Sequence, residues 1–168
     1  MKSGSWGSLV LLLLAAVVLL RPWESWDEPW EDEPAASATV VVTRVVDGDT
    51  VEVQLDGSEE DVRYIGVDTP ETVKPDEPVQ CFGPQASAFN HRLVEGKRVR
   101  LVFGAERRDV YGRLLAYVYL DGRFVNAELV RRGLARTLTI PPNDRFAAEL
   151  KRLEIAAARA GRGLWGAC

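Results

Sequence analysis

Between Thr39 and Val67 the chain interrupts β-type sequence twice, at Asp47-Gly48-Asp49 and at Asp56-Gly57, and this rhythm constrains the fold more than any other feature. Residues 39–46, TVVVTRVV, are rich in β-branched side chains, which suit a pleated, half-buried surface. Residues 50–55, TVEVQL, alternate apolar and polar, the period of a strand with one buried face. Asp-Gly is a strong hairpin turn. Residues 61–67, DVRYIGV, supply a third strand, so this stretch predicts a three-stranded meander.

The remainder adds two strands and three helices. Residues 68–80 hold three prolines and read as loop. Pro84 suits the first turn of a helix over 84–95, with Ala88, Phe89, Leu93 and Val94 as its apolar positions and Gly96 as its stop. Residues 97–103 and 113–120 predict the fourth and fifth strands, and Asp121-Gly122 turns the chain. A helix near 126–132 follows. A longer one is predicted over 143–160, capped by Asn143, with Phe146, Leu150, Leu153, Ile155 and Ala157 as apolar positions. Five short strands with an inserted helix fit an α+β fold, a small closed barrel of the OB type, better than an open sheet.

The chain divides into three regions: 1–20, 21–38 and 39–168. Residues 9–20 are an unbroken apolar run, near the lower limit for a membrane span when 6–8 are added. The run reads as an uncleaved signal-anchor, with residues 6–20 in a membrane, or as a cleaved secretory signal. The first A-x-A-like stretch, Ala36-Ser37-Ala38, lies well beyond it. Either reading places the domain outside the cytoplasm. Residues 21–38 form an acidic, proline-rich linker whose Trp23, Trp26 and Trp30 suit a membrane interface. In an exported chain, Cys81 and Cys168 suggest one disulfide.

The net charge of −4 belongs to the N-terminal regions. Removing residues 1–38 takes away two cations and six acids, leaving 19 Lys+Arg against 19 Asp+Glu. All but three of those cations are Arg, a residue suited to bidentate phosphate contacts; a GC-rich genome gives the same bias.

The lone histidine, His91, argues against a His-ligated zinc site and leaves any Ser-His-Asp triad a single candidate base. Walker A, G-x-G-x-x-G and G-x-S-x-G patterns are absent. Carboxylates and arginines are left to carry any chemistry. Asp49 lies between two strands and Asp68 ends the third; alone, such Asp-Gly and Asp-Thr-Pro sequences also serve as turns. Arg63, in the strand leading to Asp68, and Arg113, opening the fifth strand, alter that balance. Phosphoryl transfer builds negative charge that fixed Arg donors and a metal stabilise. Glu71, three residues past Asp68, is placed to activate or position a water.

The motifs D-G-D-T-V at 47–51, V-R-Y-I-G-V-D-T-P-E at 62–71, G-P-Q-A-S-A-F at 83–89, R-D-V-Y-G-R-L-L-A-Y-V-Y at 108–119 and N-A-E-L-V-R-R-G-L-A at 126–135 resemble the thermonuclease, or staphylococcal-nuclease-like, family. The resemblance runs from about 39 to 166. It implies an OB barrel with three helices, and calcium held by Asp49, Asp68 and the carbonyl of Thr69. It implies that Arg63 and Arg113 bind the scissile phosphate, that Glu71 acts as or orients the general base, and that Tyr111 touches the phosphate end of the substrate. The family cleaves the P–O5′ bond of DNA and RNA, leaving 3′-phosphates. A monomer without a protein partner is expected.

Two departures stand out. The stretch after Ala135 reads R-T-L-T-I-P-P where the family's best-known member has aromatic residues that stack on a base, and Val110 stands where a Lys would precede Tyr111. Base stacking contributes roughly 1–3 kcal/mol per base, so this wall should grip a base less tightly. Some family domains have lost catalytic residues and only bind nucleic acid. That reading predicts substitution at Arg63, Glu71 or Arg113, and all three are present.

Overall fold

The computed structural model describes residues 36–72 and 78–168. Residues 1–20, read above as an anchor or signal, and the tryptophan-bearing part of the linker lie outside the described residues. Among the described residues no helix is long and apolar enough to cross a membrane.

The predicted meander is present as β1 (Ser37–Val45), β2 (Thr50–Leu55) and β3 (Ser58–Tyr64). Asp56 and Gly57 have φ of 51° and 83°, the left-handed pair that a two-residue hairpin needs. β5 (Arg98–Arg108) and β6 (Leu114–Leu120) add to the other side of β1, giving the order β3-β2-β1-β5-β6. Parallel pairing of β3 with β6, Arg63 opposite Leu115, then closes the five strands into a barrel. The inward residues Val42, Val51, Val53, Val62, Leu101 and Val118 are fully buried. Each such burial stabilises by roughly 1.5–3 kcal/mol, so a one-residue slip of any strand is heavily penalised.

Around the barrel lie helices α1 (Gly83–Val94), α2 (Val125–Arg131) and α3 (Ala147–Arg159), then a single turn α4 (Leu164–Ala167). β7 (Arg123–Phe124) extends the edge of β6, and β4 (Gly66–Asp68) pairs with β8 (Arg136–Leu138) in a separate small sheet. Cys81 and Cys168 are disulfide-bonded, with Cα atoms 6.1 Å apart.

The structure corrects several boundaries. β1 starts at Ser37, so the last two residues assigned to the linker pair with Val102 and Leu101 in the barrel. The strand expected over 61–67 is two strands broken at Ile65. Buried Asn126 holds that break, its Nδ2 donating to Ile65 O (2.8 Å) while its Oδ1 accepts from Val118 N (2.9 Å). Asn143 does not cap a helix. Its carboxamide accepts from Glu106 N (3.0 Å) and donates to Glu106 O (2.8 Å), and α3 opens at Ala147. Leu150, Glu154 and Ala157 share the buried face of α3, a spacing of four and three; Ile155 falls off it and is exposed. In α1 the buried set is Gly83, Ala86, Asn90, Leu93 and Val94, so Ala88 and Phe89 lie at its margin.

Candidate active site

The Asp47-Gly48-Asp49 break carries Asp49 into the interior. Asp47 Oδ1 accepts from Asp49 N (2.9 Å), closing the turn on itself. Buried Asn90 of α1 donates to Asp47 O (3.1 Å) and accepts from the Tyr64 hydroxyl (3.2 Å), fastening the turn to the helix and to β3. Burial pushes the Tyr64 phenol up, so it stays a neutral donor. Gly48 makes room for the next contact, because a Cβ there would lie 2.7 Å from the Thr69 side chain.

Asp49 is 4% exposed and thoroughly engaged. Its Oδ2 accepts from Thr69 N (2.6 Å) and Thr69 Oγ1 (2.9 Å), and its Oδ1 lies 3.2 Å from Arg63 Nε. Burial pushes its carboxyl up to about 7, and nearby Asp47 adds to the rise; Arg63 and the two Thr69 donors oppose it. Arg63 is the hub. Beyond Asp49, its Nη2 donates to Asp68 Oδ1 (3.0 Å), and its Nη1 donates to the carbonyls of Tyr64 (2.9 Å) and Val67 (2.8 Å). One guanidinium thus joins the carboxylate before β2 to the carboxylate ending β4.

Arg113 reaches the same place by another route. Asp109 organises the turn before β6: its Oδ1 accepts from the backbone N–H groups of Tyr111 and Arg113, both at 3.0 Å. Its Oδ2 lies 2.7 Å from Arg113 Nε and 2.7 Å from Nη2. The guanidinium sits 5.4 Å over the Tyr111 ring, which is 82% exposed. Leu115 pairs with Arg63, and Arg113, in the turn just before β6, stands two residues ahead of that partner. Both arginines line one cavity of about 290 Å³, with Tyr111, Leu138 and Ile140 among its other walls. The departures noted above are therefore part of this wall.

Thr69 and Asp68 face a second cavity, of about 210 Å³, bounded by the Cys81–Cys168 disulfide and Arg136. Glu71 stands on the loop beyond. Its Oε1 accepts from Thr72 N (2.8 Å), and its backbone exchanges bonds with Gln80, at 3.1 Å to Gln80 Oε1 and 2.9 Å from Gln80 N. The structure thus links Asp49, Arg63, Asp68 and Thr69 by direct contacts, and Arg113 lines one cavity with Arg63. Glu71 stands on the loop that follows Thr69 and packs against Gly83 at the start of α1.

Among the described residues no three His, Cys, Asp or Glu side chains cluster closely enough to hold a metal unaided. Asp49, Asp68 and the Thr69 carbonyl are all hard oxygen donors, the kind a hard cation takes with water or substrate oxygen completing its shell. The donor set fits calcium in kind.

Asp109 and Asn90 join the site residues expected from the sequence. Asp109 was signalled by its place four residues before Arg113, across Tyr-Gly. Asn90 was signalled only as a polar residue on the apolar face of α1.

A family model described as staphylococcal nuclease homologue matches residues 61–167. The chain belongs to the staphylococcal nuclease family. Relatives in that family include the thermonuclease of Staphylococcus intermedius, 40% identical over 159 residues, covering 94% of this chain and 95% of that protein. The thermonuclease of Staphylococcus hyicus is 37% identical over 160 residues, again 94% and 95%. An endonuclease of Bacillus subtilis is 42% identical over 128 residues, 75% of this chain and 61% of that protein. The closed five-stranded barrel with three principal helices is the fold of a staphylococcal nuclease.

Proposed function

We propose that this chain is a calcium-dependent nuclease that hydrolyses phosphodiester bonds of DNA and RNA and leaves 3′-phosphate ends. The observation that carries the reading is Arg63, held between Asp49 and Asp68 and lining one cavity with Arg113. Two fixed guanidinium groups facing one cavity suit the charge that builds on a phosphate during displacement.

In this reading Arg63 and Arg113 bind the non-bridging oxygens of the scissile phosphate. Tyr111, beside Arg113, contacts the phosphate end of the substrate. Glu71 accepts a proton from a water whose oxygen bonds to phosphorus as the P–O5′ bond breaks, and the departing oxygen takes a proton from solvent. Calcium, held by Asp49, Asp68 and the Thr69 carbonyl, would supply further positive charge at the phosphate when bound. Residues 1–20 serve export, as anchor or signal, and 21–38 link them to the nuclease domain. The names of the relatives, thermonuclease and endonuclease, support the activity.

The test is degradation of a plasmid and of an RNA transcript with calcium and then with chelator. Cleavage of both only with calcium, and product ends removable by a 3′-phosphatase, are expected. Intact substrates in both conditions would refute the enzyme reading.

A further inference from the structure

Away from the two cavities of the active site, the described residues include an open groove of about 690 Å³ lined by Arg92, Arg131, Arg132 and Arg162 over an apolar floor of Phe82 and Phe89. It shares no residue with the cavity of Arg63 and Arg113. We infer that this groove binds the phosphate backbone of a polynucleotide strand extending from the active site. The inference rests on the nuclease reading for the identity of its ligand.

Charge carries the first part of the argument. Residues 39–168 are balanced overall, yet four exposed arginines converge here from three elements against one carboxylate, Glu128. Arg92 comes from the last turn of α1, Arg131 and Arg132 from the end of α2, and Arg162 from the turn before α4. Helix C-termini favour cations, and Glu128 pairs with Arg131 and Arg132 at helical spacing. Those local effects account for arginines on each helix singly. They do not account for the meeting of all four in one concavity.

Order carries the second part. Arg132 lies 4.8 Å over the Phe89 ring, and Arg162 Nη1 donates to Arg131 O (3.2 Å). Anchored guanidinium groups over aromatic carbon are the lining that single-stranded nucleic acids use.

Position carries the third. Gly83, next to Phe82, packs so closely on the catalytic loop that a Cβ would lie 2.9 Å from Glu71 O and 3.0 Å from Pro70 O. The groove therefore begins where the Glu71 loop meets α1. Phe82, on the groove floor, is thus one residue from a close contact with the loop that carries Glu71.

The test uses the full chain with its disulfide intact. Binding of a labelled single-stranded oligonucleotide is measured in chelator over a salt series, for the parent, for Arg92→Gln with Arg162→Gln, and for Arg92→Glu alone. Each lost phosphate contact makes the slope of log K against log salt shallower by about 0.7 on a single strand, so the double variant should lose about 1.4. Arg92→Glu, a change on an exposed side chain, should weaken binding without altering the melting temperature. With calcium, both variants should raise KM for a long strand while kcat, and KM for a dinucleotide, stay at parental values. An unchanged salt slope, or equal losses on long and short substrates, would overturn the inference. Should the parent cleave nothing, the nuclease reading fails, while the binding series still reports on the groove.

Discussion

Asp109 makes no proposed contact with substrate, yet Arg113 depends on it. Replacing Asp109 with Asn keeps one oxygen for the N–H groups of Tyr111 and Arg113, which preserves the turn. It removes the charged oxygen lying 2.7 Å from Nε and 2.7 Å from Nη2 of Arg113. Hydrogen bonds to a charged group contribute about 1.5–3 kcal/mol net, and the partial exposure of both side chains argues for the low end. About 1.5 kcal/mol of lost orientation corresponds to roughly tenfold in rate. Removing Arg113 itself should cost at least about 10²-fold, the scale of a fixed electrostatic group. We therefore expect Asp109→Asn to lower kcat roughly tenfold with no rise in KM, since a negative charge leaves the phosphate cavity. The assay is steady-state cleavage of a dinucleotide in a double-mutant cycle with Arg113→Ala. Added to Arg113→Ala, the Asp109→Asn change should cost nothing further. A single variant within about twofold of the parent, or an equal loss in both backgrounds, would refute the argument.

Glu71→Gln should lower kcat by at least about 10²-fold while leaving oligonucleotide binding intact, which a binding titration beside the rate assay would check. Glu154 is buried, which alone would raise its carboxyl; donation from Lys151 and from Thr137 N and Oγ1 (both 2.9 Å) outweighs this and holds it below the usual range. Its contribution to stability is present above the unfolded value of about 4.3 and lost as pH falls through the lower folded value, so Glu154→Gln should destabilise at neutral pH and lose that penalty in acid, read by urea unfolding at several pH values. Cys81→Ser with Cys168→Ser opens a link between residues 87 apart, and chemical denaturation should register a loss of roughly 2–5 kcal/mol.

The parts of this molecule legible in its sequence were those fixed by local periodicity or by family motif. β1 and β2 announce themselves because each has one face in the barrel and one in water. β8 does not, because three residues, Arg136–Leu138, are too few to show a period and exist as a strand only opposite β4. Asn143 has the chemistry of a cap, and only the approach of Glu106 from β5 decides otherwise. Arg63, Asp49, Asp68 and Arg113 stood out through their motifs. The Asn90 bridge between Asp47 and Tyr64 depends on α1 packing across the barrel, a relation that no local pattern encodes. Arg92 and Arg162 lie far apart in sequence and become one surface only in three dimensions.

The parallel seam between β3 and β6 has a kinetic consequence. The hairpins within the meander close over a few residues, whereas Val62–Tyr64 must find Leu114–Ala116 across the intervening loop, helix and strand. Closing so long a loop costs entropy before any contact rewards it, so this seam should form late in folding. Arg63 lies on one side of it and Arg113 beside the other. A half-folded chain can present either arginine, but not the pair. In refolding experiments, phosphate-ester cleavage should therefore return with the final kinetic phase and with none of the earlier ones.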